Sequence, residues 1–126
     1  IVEGAGGLLV PLNEKGDTWV DLIKRLRCPV IIAAMNKLGA INHTLLTADK
    51  LKSTGTSRIS TALINTSDKA KKDIPKRTNL TVLSEILDKT PVIEVPNLGS
   101  EEIKKAQIVQ GSKKMEKILA QILDTV

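Results

Sequence analysis

Four short stretches of this chain carry residue types that can do chemistry. The first is Glu3 followed at once by Gly4-Ala5-Gly6-Gly7, with the β-branched pair Ile1-Val2 ahead of it. An acid at the end of a strand is well placed to hold a hydrated Mg²⁺, and glycines admit positive φ and let a ligand approach main-chain N–H groups. The order reads as a buried strand ending in an acidic ligand and a backbone-accessible loop. A glycine-rich turn with an incidental Glu fits this segment alone equally well. The other stretches are Asn36 to Asn42, Asn65 to Asp68, and Pro96 to Glu102.

Regular elements must position these stretches. Asp17 or Thr18 can cap a helix running to about Arg27, with Trp19, Val20, Ile23 and Leu26 at helical spacing. Trp19 reads as a packing residue. Cys28-Pro29 ends that helix, and Val30 to Met35 follows as an apolar run without polar alternation, which predicts a strand buried on both faces of a parallel sheet. A second helix spans about Ile41 to Thr54, stopped by Gly55, and a strand runs from Ile59 to Ile64. Ser67 to Thr78, polar and basic with Pro75, reads as a loop, and a third helix covers about Asn79 to Asp88. A strand at Val92 to Val95, a turn of helix at Ser100 to Ala106, and a final helix at about Ser112 to Asp124 with Met115, Ile118, Leu119 and Ile122 inward complete a βαβαβαβα pattern.

That pattern defines an α/β protein with a doubly wound, mainly parallel sheet and right-handed crossovers. Ligands bind such sheets at the carboxyl ends of the strands. All four stretches follow predicted strands, so they share one edge, and as a set they suit phosphate, Mg²⁺ and a base. Residues 39–42 open a helix, where Gly39 reads as a turn glycine with Asn42 as N-cap, or the free N–H groups and dipole serve as an anion site. The phosphate-binding loop of the Gly-rich, Lys-Ser/Thr type occurs nowhere in these residues. Either the edge does not bind nucleotide, or that loop belongs to a part of the protein ahead of Ile1. The lack of an initial Met and a first strand too short to cross a sheet favour the latter expectation, with residues 1–126 as the C-terminal part of a single domain.

Composition narrows the partners. The formal charge is +5, but the lysines are spread along helix faces among acids, and one Trp with no Tyr or Phe leaves almost no stacking platforms for single strands. A nucleic-acid partner is not expected. The longest apolar runs fall far short of the roughly 20 residues a membrane helix needs, so neither a membrane partner nor a secretory signal is expected and the cytoplasm is the default. Cys28 reads as a buried structural thiol, with no acid or His nearby in sequence to activate it.

Two motifs carry a more specific signal. Val2-Glu3-Gly4-Ala5-Gly6-Gly7-Leu8 with Val10-Pro11, and Lys37-Leu38-Gly39-Ala40-Ile41-Asn42-His43-Thr44-Leu45-Leu46-Thr47-Ala48, resemble the dethiobiotin synthetases, ATP-dependent carboxylases of biotin synthesis. The resemblance runs through essentially the whole chain as the C-terminal half of such an enzyme, and it implies the P-loop NTPase type of fold with the P-loop part missing. It implies ATP and Mg²⁺, with CO₂ and 7,8-diaminopelargonate as substrates, and a homodimer whose active site is shared between subunits.

Residue by residue, the resemblance makes Glu3 the metal ligand and lets the backbone of Gly4, Ala5 and Gly6 approach the γ-phosphate and carbamate. Gly39, Ala40 and Asn42 would grip the carboxylate tail of the diamine. Asn65, with Thr66, would meet the adenine edge, and Pro96, Asn97 and Leu98 would line the adenine pocket. Glu101 or Glu102 matches a ribose-contacting acid, and the catalytic lysines of the family lie upstream of these residues. His43 reads as a packing or capping residue and Lys37 as a solvated or substrate-facing cation, while the basic stretch Lys69 to Arg77 reads first as a solvated loop. Two rivals stand beside this reading: a partitioning or metal-cluster-carrier ATPase on the same sheet, and a non-catalytic flavodoxin-like binding module.

Overall fold

A computed structural model describes residues 1–66, 74–97, 116–118, 120–122 and 124 of the chain. Its elements are α1 (Trp19–Leu26), β1 (Val30–Met35), α2 (Ala40–Ser53), β2 (Ile59–Ile64), α3 (Ile74–Leu87) and β3 (Val92–Val95). The strands form one parallel sheet in the order β1-β2-β3. The β-rich runs and intervening amphipathic helices therefore produce the expected α/β architecture.

β2 carries β-branched and apolar residues around the small hydroxyls Ser60 and Thr61, which suits a strand with helices on both faces, and five of its six residues are buried. On one face, Ile59 and Leu63 pack with Ile32 against Ala48 and Leu51 of α2 and Leu83 and Leu87 of α3. On the other, Ala62 and Val95 pack against Ile118 and Ile122, which lie in the described helical residues of the last predicted helix. Met115, Leu119, Leu98, Glu101, Glu102, the turn at 100–106 and the basic residues 69–72 lie outside the described residues.

Three expectations about elements need correction. Ile1 and Val2 are exposed and stand outside the sheet, because a strand exists only where a neighbour supplies its ladder and the described sheet has none for them. β1 is not buried on both faces: Ile31, Ala33 and Met35 are exposed, since the described helices α2 and α3 cover the face carrying Ile32, while on the other face Ile118 and Ile122 pack against Ala62 and Val95 of β2 and β3. α3 begins at Ile74 rather than Asn79. Pro75 occupies its first turn, where the missing N–H would have had no intrahelical partner and the fixed φ already suits a helix, so Pro75 starts the helix instead of excluding it.

α1 opens with Thr18 as N-cap, as expected, and Asp21 supplies the return contact. The Asp21 carboxylate accepts from the Thr18 main-chain N–H and from its hydroxyl, each at 2.8 Å. The main-chain bond, then the hydroxyl bond, hold the Asp21 carboxyl below its ordinary value of 3.8 against a small opposing effect of burial, with Lys24 and Arg25 adding to the lowering. Because the folded value is depressed, this contact contributes stability above the unfolded value and loses it as pH falls through the folded one. In an NMR acid titration the Asp21 midpoint is expected below 3.8, with amide protection at the start of α1 falling in step. A midpoint at or above that value contradicts the cap.

Candidate functional site

The register of the sheet decides what meets at its carboxyl edge. β1 and β2 are both six residues long and pair from Val30↔Ile59 to Met35↔Ile64, so the residues that follow them, Asn36 and Asn65, stand side by side. The ladder continues one step beyond the strands: Asn36 N–H donates to Ile64 O at 2.7 Å, and Asn65 N–H to Val95 O at 2.9 Å. Side chains alternate along a strand. Asn36 and Asn65 thus share the face of Ile32 and Leu63, which is the face that α3 covers.

There a chain of amides forms. Asn36 is fully buried and Asn79, on the first half of α3, is nearly so. Asn79 Nδ2 donates to Asn36 Oδ1 at 2.9 Å and to Lys37 O at 3.1 Å. Asn36 Nδ2 donates to Asn65 Oδ1 at 2.9 Å and to Lys76 O at 3.2 Å. Asn65, half-buried, donates from Nδ2 to Glu94 Oε1 at 2.7 Å. A buried amide without partners costs about 1–3 kcal/mol, and here Asn36 and Asn65 are used at both ends while Asn79 spends both its Nδ2 hydrogens. The network joins the ends of β1 and β2 to β3 and α3.

Beside it, α2 starts from Gly39, whose φ of 89° is left-handed backbone that a side chain would strain. No side chain caps this helix. Its orphan donors are partly satisfied in the backbone, with Ala40 N–H on Lys37 O and His43 N–H on Gly39 O, both at 3.1 Å. Asn42 and His43 are exposed, while the Ala40 methyl is buried in the core, so only main-chain atoms of Ala40 face this turn. The His43 ring lies against Gly39, 3.6 Å from where a Cβ would stand.

The glycine loop is organised differently from the expectation. Glu3 is exposed, follows no strand, and has no hydrogen-bond or ion-pair partner among the described residues. Gly4 packs on the indole of Trp19: a Cβ there would come within 3.1 Å of the ring. Trp19 Nε1 donates to Ala5 O at 3.2 Å, so the tryptophan is the anchor of this loop. Gly6, at φ 80°, turns the chain towards Val10, whose N–H donates to Gly7 O at 3.0 Å. The described ties of this loop run to α1 and Val10.

Asn65 is thus joined to Asn36, and Gly39 opens the neighbouring turn; Thr66 is exposed and Pro96 and Asn97 are half-buried just past β3. Glu3 is not tied into that cluster, and Leu98 lies outside the described residues. Sequence reasoning missed Asn36 and Glu94 as partners of Asn65, and Asn79 as the partner of Asn36. A signal for the first was available: two apolar runs of six residues, each ended by Asn, become adjacent when paired in parallel without offset.

Of two depressions in the described surface, one reaches this cluster at Glu94 and the other lies at the opposite end of the strands. A cleft of about 530 Å³ runs past the outer edge of β3, lined by Leu80, Val92, Ile93, Glu94, Gln121 and Asp124. One of about 350 Å³ sits where β1 and β2 begin, with Lys24, Arg27, Cys28 and Arg58 on its wall. Cys28 is exposed, correcting the expectation of a buried thiol. It occupies the turn between left-handed Arg27 and Pro29, ahead of the strand and outside both cores. Among the described residues no three His, Cys, Asp or Glu side chains gather as metal ligands, and no helix there is long and apolar enough to cross a membrane.

The parallel sheet flanked by helices agrees with the comparisons to known proteins. A family model described as the AAA domain matches residues 1–96, and the chain belongs to that family. More particularly, it is similar to proteins named ATP-dependent dethiobiotin synthetase. It is 46% identical over 105 residues to the one from Thermodesulfovibrio yellowstonii, covering 79% of this chain and 41% of that protein. It is 60% identical over 52 residues to that of Neorickettsia sennetsu, covering 41% of this chain and 21% of that protein. For Legionella pneumophila strain Corby the match is 61% over 51 residues, 40% of this chain and 24% of that protein. The matched part of the chain therefore spans between about a fifth and 41% of the length of these curated relatives. AAA membership also sets aside the flavodoxin-like module.

Proposed function

We propose that this chain is part of an ATP- and Mg²⁺-dependent dethiobiotin synthetase acting in the cytoplasm as a homodimer. The observation that carries the reading is the strand-end cluster, where a held Asn65 amide stands beside the Gly39-opened turn, in a chain similar to those synthetases over 79% of its length. In the proposed reaction one amine of 7,8-diaminopelargonate adds to CO₂ as a carbamate. A carbamate oxygen then takes the γ-phosphoryl group of ATP, releasing ADP. Finally the second amine attacks the carbamoyl carbon, the bond to phosphate breaks, and the ureido ring closes.

The residues divide this work by their chemistry. Asn65 offers both an acceptor and a donor, which complement N6 and N7 of adenine. Pro96 and Asn97, just past β3, line the base. Main-chain groups of Gly39 and Ala40, with Asn42, hold the diamine's carboxylate at the start of α2, where the helix dipole favours an anion. Glu3, unpaired among the described residues, fits a carboxylate that binds Mg²⁺ together with phosphate oxygens and water, as Mg²⁺ sites often do. The metal, when bound, neutralises charge on the β- and γ-phosphates. Gly4 to Gly6 leave main-chain amides open to the transferred group.

The test uses the complete gene product that contains this chain. ADP release from ATP is expected to depend on both the diamine and bicarbonate. Release that is unchanged by omitting the diamine points to an ATPase of the partitioning type and contradicts the proposal.

A further inference from the structure

We infer that Asn36 and Asn79 are positioning residues that fix the amide orientation of Asn65, and that Glu94 closes the far end of the same relay. This rests on the proposed contact between Asn65 and the purine, and it makes the chain selective for a 6-amino over a 6-oxo purine.

The argument starts from two atoms that can only accept. The carbonyls of Lys37 and Lys76 have no proton to give, so the atom of Asn79 that meets Lys37 O and the atom of Asn36 that meets Lys76 O are both nitrogens. With Asn79 nitrogen placed, its second hydrogen goes to Asn36 Oδ1 at 2.9 Å. Asn36 nitrogen then has one hydrogen left, and it goes to Asn65 Oδ1, also at 2.9 Å. Asn65 must therefore turn its oxygen to Asn36 and its nitrogen to Glu94. A flipped Asn65 would set nitrogen against nitrogen and oxygen against carboxylate, losing both bonds. The two backbone carbonyls thus dictate, through two buried amides, the orientation of a third that is only half-buried.

What Asn65 has left to offer is one lone pair on Oδ1 and one hydrogen on Nδ2. Adenine presents a donor at N6 and an acceptor at N7, matching that pair. Guanine and hypoxanthine present acceptors at O6 and N7, so a fixed Oδ1 would face O6. An unconstrained amide could rotate to suit either base; this one is held.

The experiment compares ATP with inosine triphosphate in the complete gene product, measuring KM and kcat for each. In the unaltered protein KM for inosine triphosphate should exceed that for ATP by about tenfold or more, the range of one bidentate amide contact. Asn36→Leu keeps the branched shape while removing the relay, and should bring the KM ratio down severalfold with kcat on ATP little changed. Glu94→Gln, at an exposed side chain, lets that end donate as well as accept and should lower the same ratio by a smaller factor, because Asn36 Nδ2 still meets Asn65 Oδ1; it carries the test should Asn36→Leu not fold. Asn65→Ala should abolish the discrimination. If Asn65→Ala keeps the original ratio, the purine contact itself is wrong. If Asn65→Ala loses it while Glu94→Gln and a folded Asn36→Leu retain it, the purine contact stands and the positioning role is overturned.

Discussion

Glu3→Gln in the complete gene product is expected to lower Mg²⁺-dependent turnover by roughly a hundredfold while leaving the fold intact. The second half of that expectation comes from the structure. Glu3 is exposed and pairs with no described residue, so neutralising it unmakes no internal contact. The first half comes from its proposed place as the carboxylate beside the phosphates, where Gln retains the shape but not the charge that a hard cation needs. The loop that carries it is held independently, by Trp19 against Gly4 and by the indole N–H on Ala5 O, and a change at Glu3 leaves both ties in place. The measurement is ADP formation as Mg²⁺ is varied, with circular dichroism as the control on folding. Turnover within about twofold of the unaltered protein would remove Glu3 from the metal site.

Asn36→Leu should be the substitution most costly to stability among the polar residues of the cluster. Leu has nearly the same branched shape, so little cavity or overpacking accompanies the change, and the loss is one of hydrogen bonding. It removes the partner of Asn65 Oδ1 and of one Asn79 hydrogen, and one of the bonds to Lys76 O, in a place where Asn36 itself is sealed from water. At about 1–3 kcal/mol for each buried group left unsatisfied, and with Asn65 half-exposed and able to find water, a total of about 3 kcal/mol is expected. Equilibrium unfolding in denaturant measures it directly. A change below about 0.5 kcal/mol would mean that the amide relay does not contribute to stability. The same variant serves the nucleotide comparison, since a loss of stability leaves a KM ratio between two substrates untouched unless Asn36 also orients Asn65.

Much of the frame was legible because apolar runs and helical spacing are local signals. Val30 to Met35, Ile59 to Ile64 and Val92 to Val95 became strands with the bounds their composition implied. The misreadings have a common source, which is that neighbours decide what composition cannot. The run Val30-Ile31-Ile32-Ala33-Ala34-Met35 looks buried on both sides, yet the described residues packed on the second face sit over β2 and β3 and leave Ile31, Ala33 and Met35 exposed. Pro75 looks like a breaker until it falls in a first turn. Asn79 looks like a helix start, and only the approach of α3 to the end of β1 shows it to be a buried link to Asn36. At the site, Asn65 and Gly39 were readable from their positions after a strand and before a helix. The relay behind Asn65 was not, because its members are 29 and 43 positions apart in sequence and are joined only by sheet register and by the packing of α3 against the strand ends.

The most direct measurement of the central claim is the product itself. The complete gene product, supplied with ATP, Mg²⁺, 7,8-diaminopelargonate and ¹³C-bicarbonate, should yield dethiobiotin whose ureido carbonyl carries the label, detected by mass spectrometry together with ADP and phosphate. ADP formed without labelled dethiobiotin, or with no diamine requirement, would contradict the account.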